Sequence, residues 1–213
     1  MKATDSPPDT ANAMDDEFDG SSLDSKWTWA NQGAHADITV DGVGYARMIL
    51  DSEAAVDVHS LLQSAPSSPW TIRAKVQTDY KNTVGGGAVQ SFGLVAHTDN
   101  GGGFPNRFTT FTSRVSSTAA QLHIGRWDNV TTMPFAISST DLPVGRPIYL
   151  EIDFDGTTIV YSYSLSGFDE GFVVLGTEGI NDWLFSVDDV GLCIFENNSE
   201  EMCGVCDWFR RVA

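Results

Sequence analysis

The sequence predicts an all-β protein, a two-sheet antiparallel β-sandwich of the jelly-roll type, on three observations. Apolar and polar residues alternate with a period of two over several short segments. Turn residues, mainly Gly, Asn, Asp and Pro, separate these segments. A helical period is almost absent, and a length of 213 residues suits one large sandwich. We assign residues 15–213 to this domain and residues 1–14 to an extended N-terminal arm.

The clearest strands are Trp70–Thr78 and Ile148–Phe154, in which apolar and polar residues alternate without a fault. Asp155-Gly156 is a favoured hairpin turn, and Thr157–Ser164 is the returning strand. Further strands are predicted at Gly44–Leu50, Ala55–Ser60, Ser91–His97, Arg107–Val115, Ala120–Trp127, Asp188–Phe195 and Val205–Val212. Roughly ten to thirteen short strands in such a pattern indicate two packed antiparallel sheets.

The composition excludes some partners. The chain has 29 acidic and 12 basic residues, a formal charge of -17 and a pI near 4.3. Because nucleic-acid binding depends on Lys and Arg neutralising phosphates, we expect no nucleic-acid partner. No apolar stretch approaches the ~18 residues of a membrane-spanning helix, so we expect no membrane insertion. We expect so acidic a chain to become more stable as salt or Ca²⁺ is added.

The N-terminal arm is polar, contains Pro7 and Pro8, and shows no periodicity. Since such a segment has no core of its own, we expect residues 1–14 either to contact other subunits, in a homo-oligomer or a larger assembly, or to fold back on their own domain. The beginning of the chain has no apolar run of signal-peptide length, so release by lysis is expected rather than secretion.

Two terminal segments resemble the first and last strands of concanavalin A-like lectin/glucanase domains. They are Asp16–Trp27, which reads DEFDGSSLDSKW, and Cys206–Val212, which reads CDWFRRV. The resemblance covers roughly residues 15–213 and implies a jelly roll. It leaves the function open, because glycosidases, sugar-binding modules, adhesins and virus structural proteins share this fold.

The segment Glu151-Ile152-Asp153-Phe154-Asp155 is similar to the Glu-x-Asp-x-Glu strand of family 16 glycoside hydrolases. Retaining hydrolysis needs two carboxyl groups about 5 Å apart, whereas strand residues four apart lie roughly 13 Å apart. Asp155 is also expected to serve the turn with Gly156. We therefore assign no catalytic residues and expect the chain not to be an enzyme.

A structural Ca²⁺ is the cofactor expectation. The resemblance implies that the first and last strands are neighbours, which would bring together the carboxylates of Asp16, Asp19 and Asp207, and Ca²⁺ prefers oxygen ligands. Three interpretations are open for the three cysteines: buried thiols, a local disulfide or a zinc half-site. The cysteines are Cys193, Cys203 and Cys206.

Glycan binding needs an exposed aromatic ring and polar groups that bond sugar hydroxyls. Two segments contain such residue types, one beginning at His97 and the other at Arg126. The predicted ligand-binding residues are His97, Asp99, Asn100, Arg107, Arg126 and Trp127.

Three classes of function therefore compete. We favour a virion structural protein, a capsid decoration or tail component, with a lectin-like domain that contacts glycans and a location on the virion or extracellular surface. A free carbohydrate-binding module is the first alternative, and a glycoside hydrolase is the second.

Overall fold

The computed structural model describes residues 12–40, 42, 44–51, 56–79, 89–98, 107–116, 119–142, 146–197 and 201–212. The strands in this part of the chain are β1 Thr28–Ala30, β2 Ala36–Val40, β3 Ala46–Leu50, β4 His59–Ser64, β5 Trp70–Asp79, β6 Val89–Thr98, β7 Arg107–Ser116, β8 Ala120–Trp127, β9 Phe135–Asp141, β10 Ile148–Phe154, β11 Thr158–Ser164, β12 Val173–Gly179, β13 Asp189–Glu196 and β14 Met202–Arg211.

These strands form two antiparallel sheets of seven strands each. Sheet I has the order β1-β4-β13-β6-β7-β8-β9, and sheet II has the order β12-β11-β10-β5-β14-β3-β2. The all-β sandwich is therefore confirmed. Among the described residues, no helix is long and apolar enough to cross a membrane.

The main core fills the space between the sheets. From sheet I, Phe92, Leu94 and Phe111 point inward and are almost fully buried, and Leu150 and Phe209 face them from sheet II. Because alternate strand residues face opposite sides, this core uses every second residue of each strand.

Sheet I is also covered on its outer face. A second apolar cluster, which we call the outer cluster, lies there and contains Val58, Leu62, Val89, Val95, Phe108, Trp127, Cys193 and Phe195. Two loops cover it, and the Val58 N–H donates to the Val130 carbonyl to join them, at 3.0 Å. All ten residues of β6 are buried as a result.

The two predicted terminal segments are neighbours. Asp16 and Phe209 exchange two backbone hydrogen bonds of 2.8 and 2.9 Å. The Arg210 guanidinium donates to both Glu17 carboxylate oxygens, at 2.5 and 2.7 Å. Met14, assigned to the arm from the sequence, is buried in the main core. Residues 1–11 lie outside the described part of the chain.

The predicted hairpin is confirmed. One Asp155 carboxylate oxygen accepts hydrogen bonds from the Thr157 N–H, the Thr157 hydroxyl and the Thr158 N–H, at 2.7, 2.8 and 2.7 Å. Gly156 has a φ of 101°, which a side chain would disfavour. The bond from the Thr157 hydroxyl, with the two backbone bonds, lowers the pKa of Asp155.

One predicted strand was misplaced. The sequence predicted a strand at Ala55–Ser60, but β4 runs from His59 to Ser64. Five of its six residues are buried, so the expected alternation of exposed and buried positions is absent from this strand.

Candidate functional site

Two of the residues predicted to bind a ligand meet at one end of the sandwich. The guanidinium carbon of Arg107 lies 4.7 Å from the ring centre of Trp183, and that of Arg126 lies 6.0 Å from it. Cations at such positions are attracted to the electron-rich face of an indole. The sequence predicted both arginines as ligand-binding residues. Trp183 itself is 8% exposed and belongs to the main core.

Two exposed rings border this indole. Phe135 is 60% exposed and packs edge-on against Trp183 with ring centres 6.2 Å apart. Phe185 is 59% exposed, and Arg107 lies 5.4 Å from its ring centre. We call Arg107, Arg126, Asp128, Phe135, Trp183 and Phe185 the arginine–aromatic patch.

Asp128 supplies the carboxylate of the patch. It lies 3.7 Å from the Arg107 Nε, and its side chain is 44% exposed. Because this distance is longer than a hydrogen bond and both side chains are partly exposed, both groups keep hydrogen-bonding capacity for a ligand.

Arg126 is held by a buried partner. Its Nε donates to Glu178 on β12 at 3.0 Å, and the Glu178 side chain is 1% exposed. The other Glu178 oxygen accepts from the Tyr161 hydroxyl. Burial, followed by the charge of Glu178, raises the pKa of Tyr161 well above its usual value. The two sheets are therefore joined beneath the patch by an ion pair that fixes the Arg126 side chain.

The segment that carries Trp183 is fixed at several points. The Ile180 N–H donates to the Thr157 carbonyl at 2.7 Å, and the Gly179 N–H donates to the Asp182 carboxylate at 2.9 Å. The indole Nε1 of Trp183 donates to the Phe108 carbonyl at 3.3 Å. These bonds tie the segment after β12 to β7 and to the turn before β11, so Trp183 and Phe185 have a rigid base.

Trp127 lies on the opposite face of sheet I from Arg126. Its indole stacks on Phe108 at 5.7 Å, meets Phe195 at 5.0 Å and donates to the Thr110 hydroxyl at 3.0 Å. Only 1% of it is exposed, so it packs in the outer cluster and offers no open ring for a sugar.

His97 is likewise away from the patch. It is 3% exposed on the outer face of sheet I, and its Nε2 lies 3.2 Å from an Asp189 oxygen. Asp99 and Asn100 lie outside the described residues. The structure therefore brings together Arg107 and Arg126 and separates them from His97 and Trp127.

The carboxylates expected to bind Ca²⁺ are engaged by other groups. The Asp16 oxygens accept from the Phe18 N–H at 2.8 Å and the Trp27 indole at 2.7 Å, and the Lys26 ammonium lies 3.6 Å away. Asp207 pairs with Lys75 at 2.8 Å.

A cation beside each carboxylate does not fit a divalent metal site. The described residues contain no group of three or more His, Cys, Asp or Glu side chains placed to hold a metal ion. The Ca²⁺ site of Asp16, Asp19 and Asp207 stays a prediction without a described ligand set.

The glucanase-like carboxylates have structural partners. Glu151 accepts from Arg73 at 2.6 and 3.0 Å, and Asp153 accepts from the Thr71 hydroxyl at 2.5 Å. All three cysteines are free and buried. Burial raises the pKa of Cys193 and of Cys206.

The two-sheet antiparallel β-sandwich of this chain is similar to several solved structures. Bacteroides ovatus xyloglucan PUL GH43B shares 16% identity at a TM-score of 0.68, over 95% of this chain and 39% of its own. The chain therefore spans about two fifths of that protein. A family 16 endo-glucanase from Bacteroides ovatus shares 14% identity at a TM-score of 0.55, over 93% of this chain and 99% of its own.

The third comparison is with a lectin. The Lotus tetragonolobus seed lectin shares 14% identity at a TM-score of 0.55, over 89% of this chain and 94% of its own. No family model and no curated protein sequence matches the chain. At these identities the likeness establishes the fold.

The expectation that the chain is not an enzyme is wrong as a conclusion from the sequence. It rested on the spacing of Glu151 and Asp155, yet the similar solved structures include glycoside hydrolases of families 43 and 16. An unsuitable pair on one strand does not exclude catalysis elsewhere on such a fold.

Proposed function

We propose that the chain is a carbohydrate-recognition domain and that the arginine–aromatic patch binds the glycan. The observation that carries this proposal is the pair of exposed rings, Phe135 and Phe185, beside Trp183 and two guanidinium groups. Sugar rings stack their apolar C–H faces on aromatic rings, and their hydroxyls bond to charged side chains. The patch offers both kinds of contact side by side.

The rigidity of the patch supports this role. Glu178 holds Arg126 from below, and the Trp183 indole is tied to the Phe108 carbonyl. Because these side chains are ordered before a ligand arrives, little conformational entropy is lost on binding. The similar structures add support at the level of the fold, since they include glycoside hydrolases and a seed lectin.

The test is affinity electrophoresis of the chain in gels containing xyloglucan, xylan or a mixed-linkage β-glucan. We expect the Phe135→Ala/Phe185→Ala variant to bind at least about tenfold more weakly, because each ring supplies a stacking contact. The matched control is Phe168→Ala, a ring that is 70% exposed at the opposite end of β12. Retention of full affinity by the double variant, or failure of the wild type to bind any glycan, would overturn the proposal.

Hydrolysis of the bound glycan is the second candidate function. The match with the family 16 endo-glucanase, which extends over nearly the whole of both chains, favours it. Asp128 is the patch carboxylate open to a ligand, whereas both oxygens of Glu178 are engaged. Release of reducing ends from a β-glucan should then fall at least about a hundredfold in Asp128→Asn. Equal release by the two proteins would remove Asp128 from the mechanism.

The virion role, assembly contacts through residues 1–14 and an extracellular location remain predictions. The similar structures named above concern carbohydrate enzymes and a lectin, and they add no support for a virion. Light scattering on the full chain and on a form lacking residues 1–11 would test the assembly contact, because only the full chain is expected to self-associate or join an assembly.

A further inference from the structure

Four polar side chains lie together on the outer face of sheet I, away from the arginine–aromatic patch. Ser91 of β6 lies directly opposite Arg114 of β7, and Thr112 of β7 lies directly opposite His123 of β8. Directly opposite residues have Cβ atoms about 5 Å apart, and Arg114 and His123 are diagonal neighbours. We call these four residues the polar row.

Three of the four side chains of the polar row are buried, Arg114 is partly buried, and each of the four has a buried atom without a described partner. Ser91 and Thr112 are fully buried, and His123 is 3% exposed. Four of its atoms are shielded from water and lack a hydrogen-bond partner among the described residues, namely Ser91 Oγ, Thr112 Oγ1, Arg114 Nε and His123 Nδ1. A buried polar atom without a partner destabilises the folded protein. Four such atoms on adjacent strands indicate a place where a ligand supplies the missing partner.

The charge of the row comes from Arg114. Arg73, Arg126 and Arg210 each pair with a carboxylate, whereas no described carboxylate pairs with Arg114. Desolvation lowers the pKa of Arg114, as expected for a cation without a counter-ion. Gln121 of β8 lies directly opposite Arg114, and Asp141 of β9 lies opposite Gln121 and accepts from its amide at 3.2 Å.

His123 does not add a second charge at neutral pH. Burial, followed by the charge of Arg114, lowers the pKa of His123 to about 4. The imidazole is therefore neutral at pH 7. The row thus offers one positive charge, two hydroxyl donors and one ring that can donate or accept.

The row is bordered by apolar groups. A Cβ placed on Gly125 would lie 2.7 Å from the Met133 sulfur and 3.1 Å from a ring carbon of His123, so Met133 packs over this part of the sheet. Because such surroundings exclude water, an ion pair formed with Arg114 would be strengthened.

We propose that the polar row binds a carboxylate monoanion. Arg114 Nε and the hydroxyls of Ser91 and Thr112 donate to the carboxylate oxygens, and the neutral His123 ring completes the site. One positive charge balances one negative charge, whereas a phosphate dianion would leave a buried surplus. The chemical class of this carboxylate rests on the carbohydrate role proposed above: the ligand is an acidic sugar, a uronate.

The test follows the His123 ring by NMR in the full chain during addition of sodium acetate, sodium glucuronate, glucose or sodium sulfate. Acetate and glucuronate are expected to shift the His123 resonances and to raise the pKa of this ring, and glucose is expected to do neither. In Arg114→Met the affinity for acetate and glucuronate should fall about tenfold or more, because a charge-assisted hydrogen bond is lost.

The stability of the variants distinguishes a binding role of Arg114 from a structural role. Arg114→Met should unfold at an unchanged or higher denaturant concentration, because it removes a cation without a described partner. Arg73→Met is the matched control. It should be less stable than the wild type, because Glu151 loses its partner, but acetate and glucuronate should still shift its His123 resonances.

Each outcome of the titration decides a separate point. Absence of any shift with acetate and glucuronate would overturn the carboxylate site, as would a response to sulfate alone. A response to acetate without one to glucuronate would keep the anion site and overturn the uronate. Because these readings do not use the arginine–aromatic patch, a failure of neutral-glycan binding there leaves the carboxylate result intact.

Discussion

Arg126 and Arg114 lie on neighbouring strands of sheet I and face opposite sides of it. Arg126 faces the interior, where Glu178 and Tyr161 complete an ion pair and a hydrogen bond. Arg114 faces the outer cluster, where no described carboxylate pairs with it. Arg126 is therefore fixed in position by a carboxylate partner, whereas Arg114 has no described partner to hold it. A shielded guanidinium nitrogen, such as the Arg114 Nε, points to a ligand when its surroundings leave it unpaired.

The largest loss of stability is expected from Glu178→Gln, which removes the carboxylate partner of Arg126. The substitution leaves Arg126 and the Tyr161 hydroxyl without the carboxylate, so the free energy of unfolding should fall by about 3 kcal/mol or more. Urea denaturation measures it. The double variant Glu178→Gln/Arg126→Met should recover part of this loss of stability. Equal stability of the wild type and Glu178→Gln would show that the Arg126–Glu178 ion pair does not stabilise the fold.

A pH effect should come from His123. The pKa of this ring is about 4 in the folded protein and 6.5 in the unfolded chain, so the unfolded chain binds more protons between these values. The free energy of unfolding should therefore fall as the pH drops from 6.5 to 4, by about 3 kcal/mol in total, and level off below.

Denaturation curves at several pH values measure this effect. His123→Gln should remove this part of the pH dependence, whereas His35→Gln, at an exposed position, should not. Matching pH profiles for wild type and His123→Gln would contradict the assigned burial of the ring.

A smaller effect is expected from Gly125→Ala. The added methyl group would lie 2.7 Å from the Met133 sulfur, so Met133 must shift, at a cost of about 1 kcal/mol. Thermal unfolding measures the loss. Adding Met133→Ala should relieve the clash, and the His123 resonances should move in the single variant because the ring is 3.1 Å away.

The smallest effect is expected from salt. With a formal charge of -17, the chain should melt at a slightly higher temperature in high salt, because screening reduces self-repulsion. The Ca²⁺ prediction adds that a chelator should lower the melting temperature. A melting temperature that changes neither with salt nor with a chelator would contradict both the salt prediction and the Ca²⁺ prediction.

The strands that alternate in the sequence were predictable. β5 and β10 follow the expected bounds closely because the buried and outward residues alternate along them. β8 also keeps its expected bounds, although residues 122–125 are buried on both faces of the sheet. β9 and β12 were missed, since each is an edge strand with few buried residues and therefore lacks a clear period.

The site was predictable only in part. Arg107 and Arg126 were found by residue type, but the exposure of Phe135, on an edge strand, and of Phe185 depends on tertiary packing that no local pattern reveals. One error had a visible signal: Arg126 and Trp127 are consecutive residues of one strand, so their side chains must face opposite sides and do not line one site. The polar row had the same signal in the alternation of His123 with Leu122 and Ile124.

The burial of β6 on both faces has a consequence for slow motions of the protein. This strand is bonded to β13 on one side and β7 on the other, and every residue in it is shielded from solvent. Its amide hydrogens should therefore exchange with deuterated water only when the whole domain opens, whereas those of the edge strand β12 exchange through local opening. The exchange rate of β6 is then a direct reading of global stability, against which ligands for either face of sheet I can be compared.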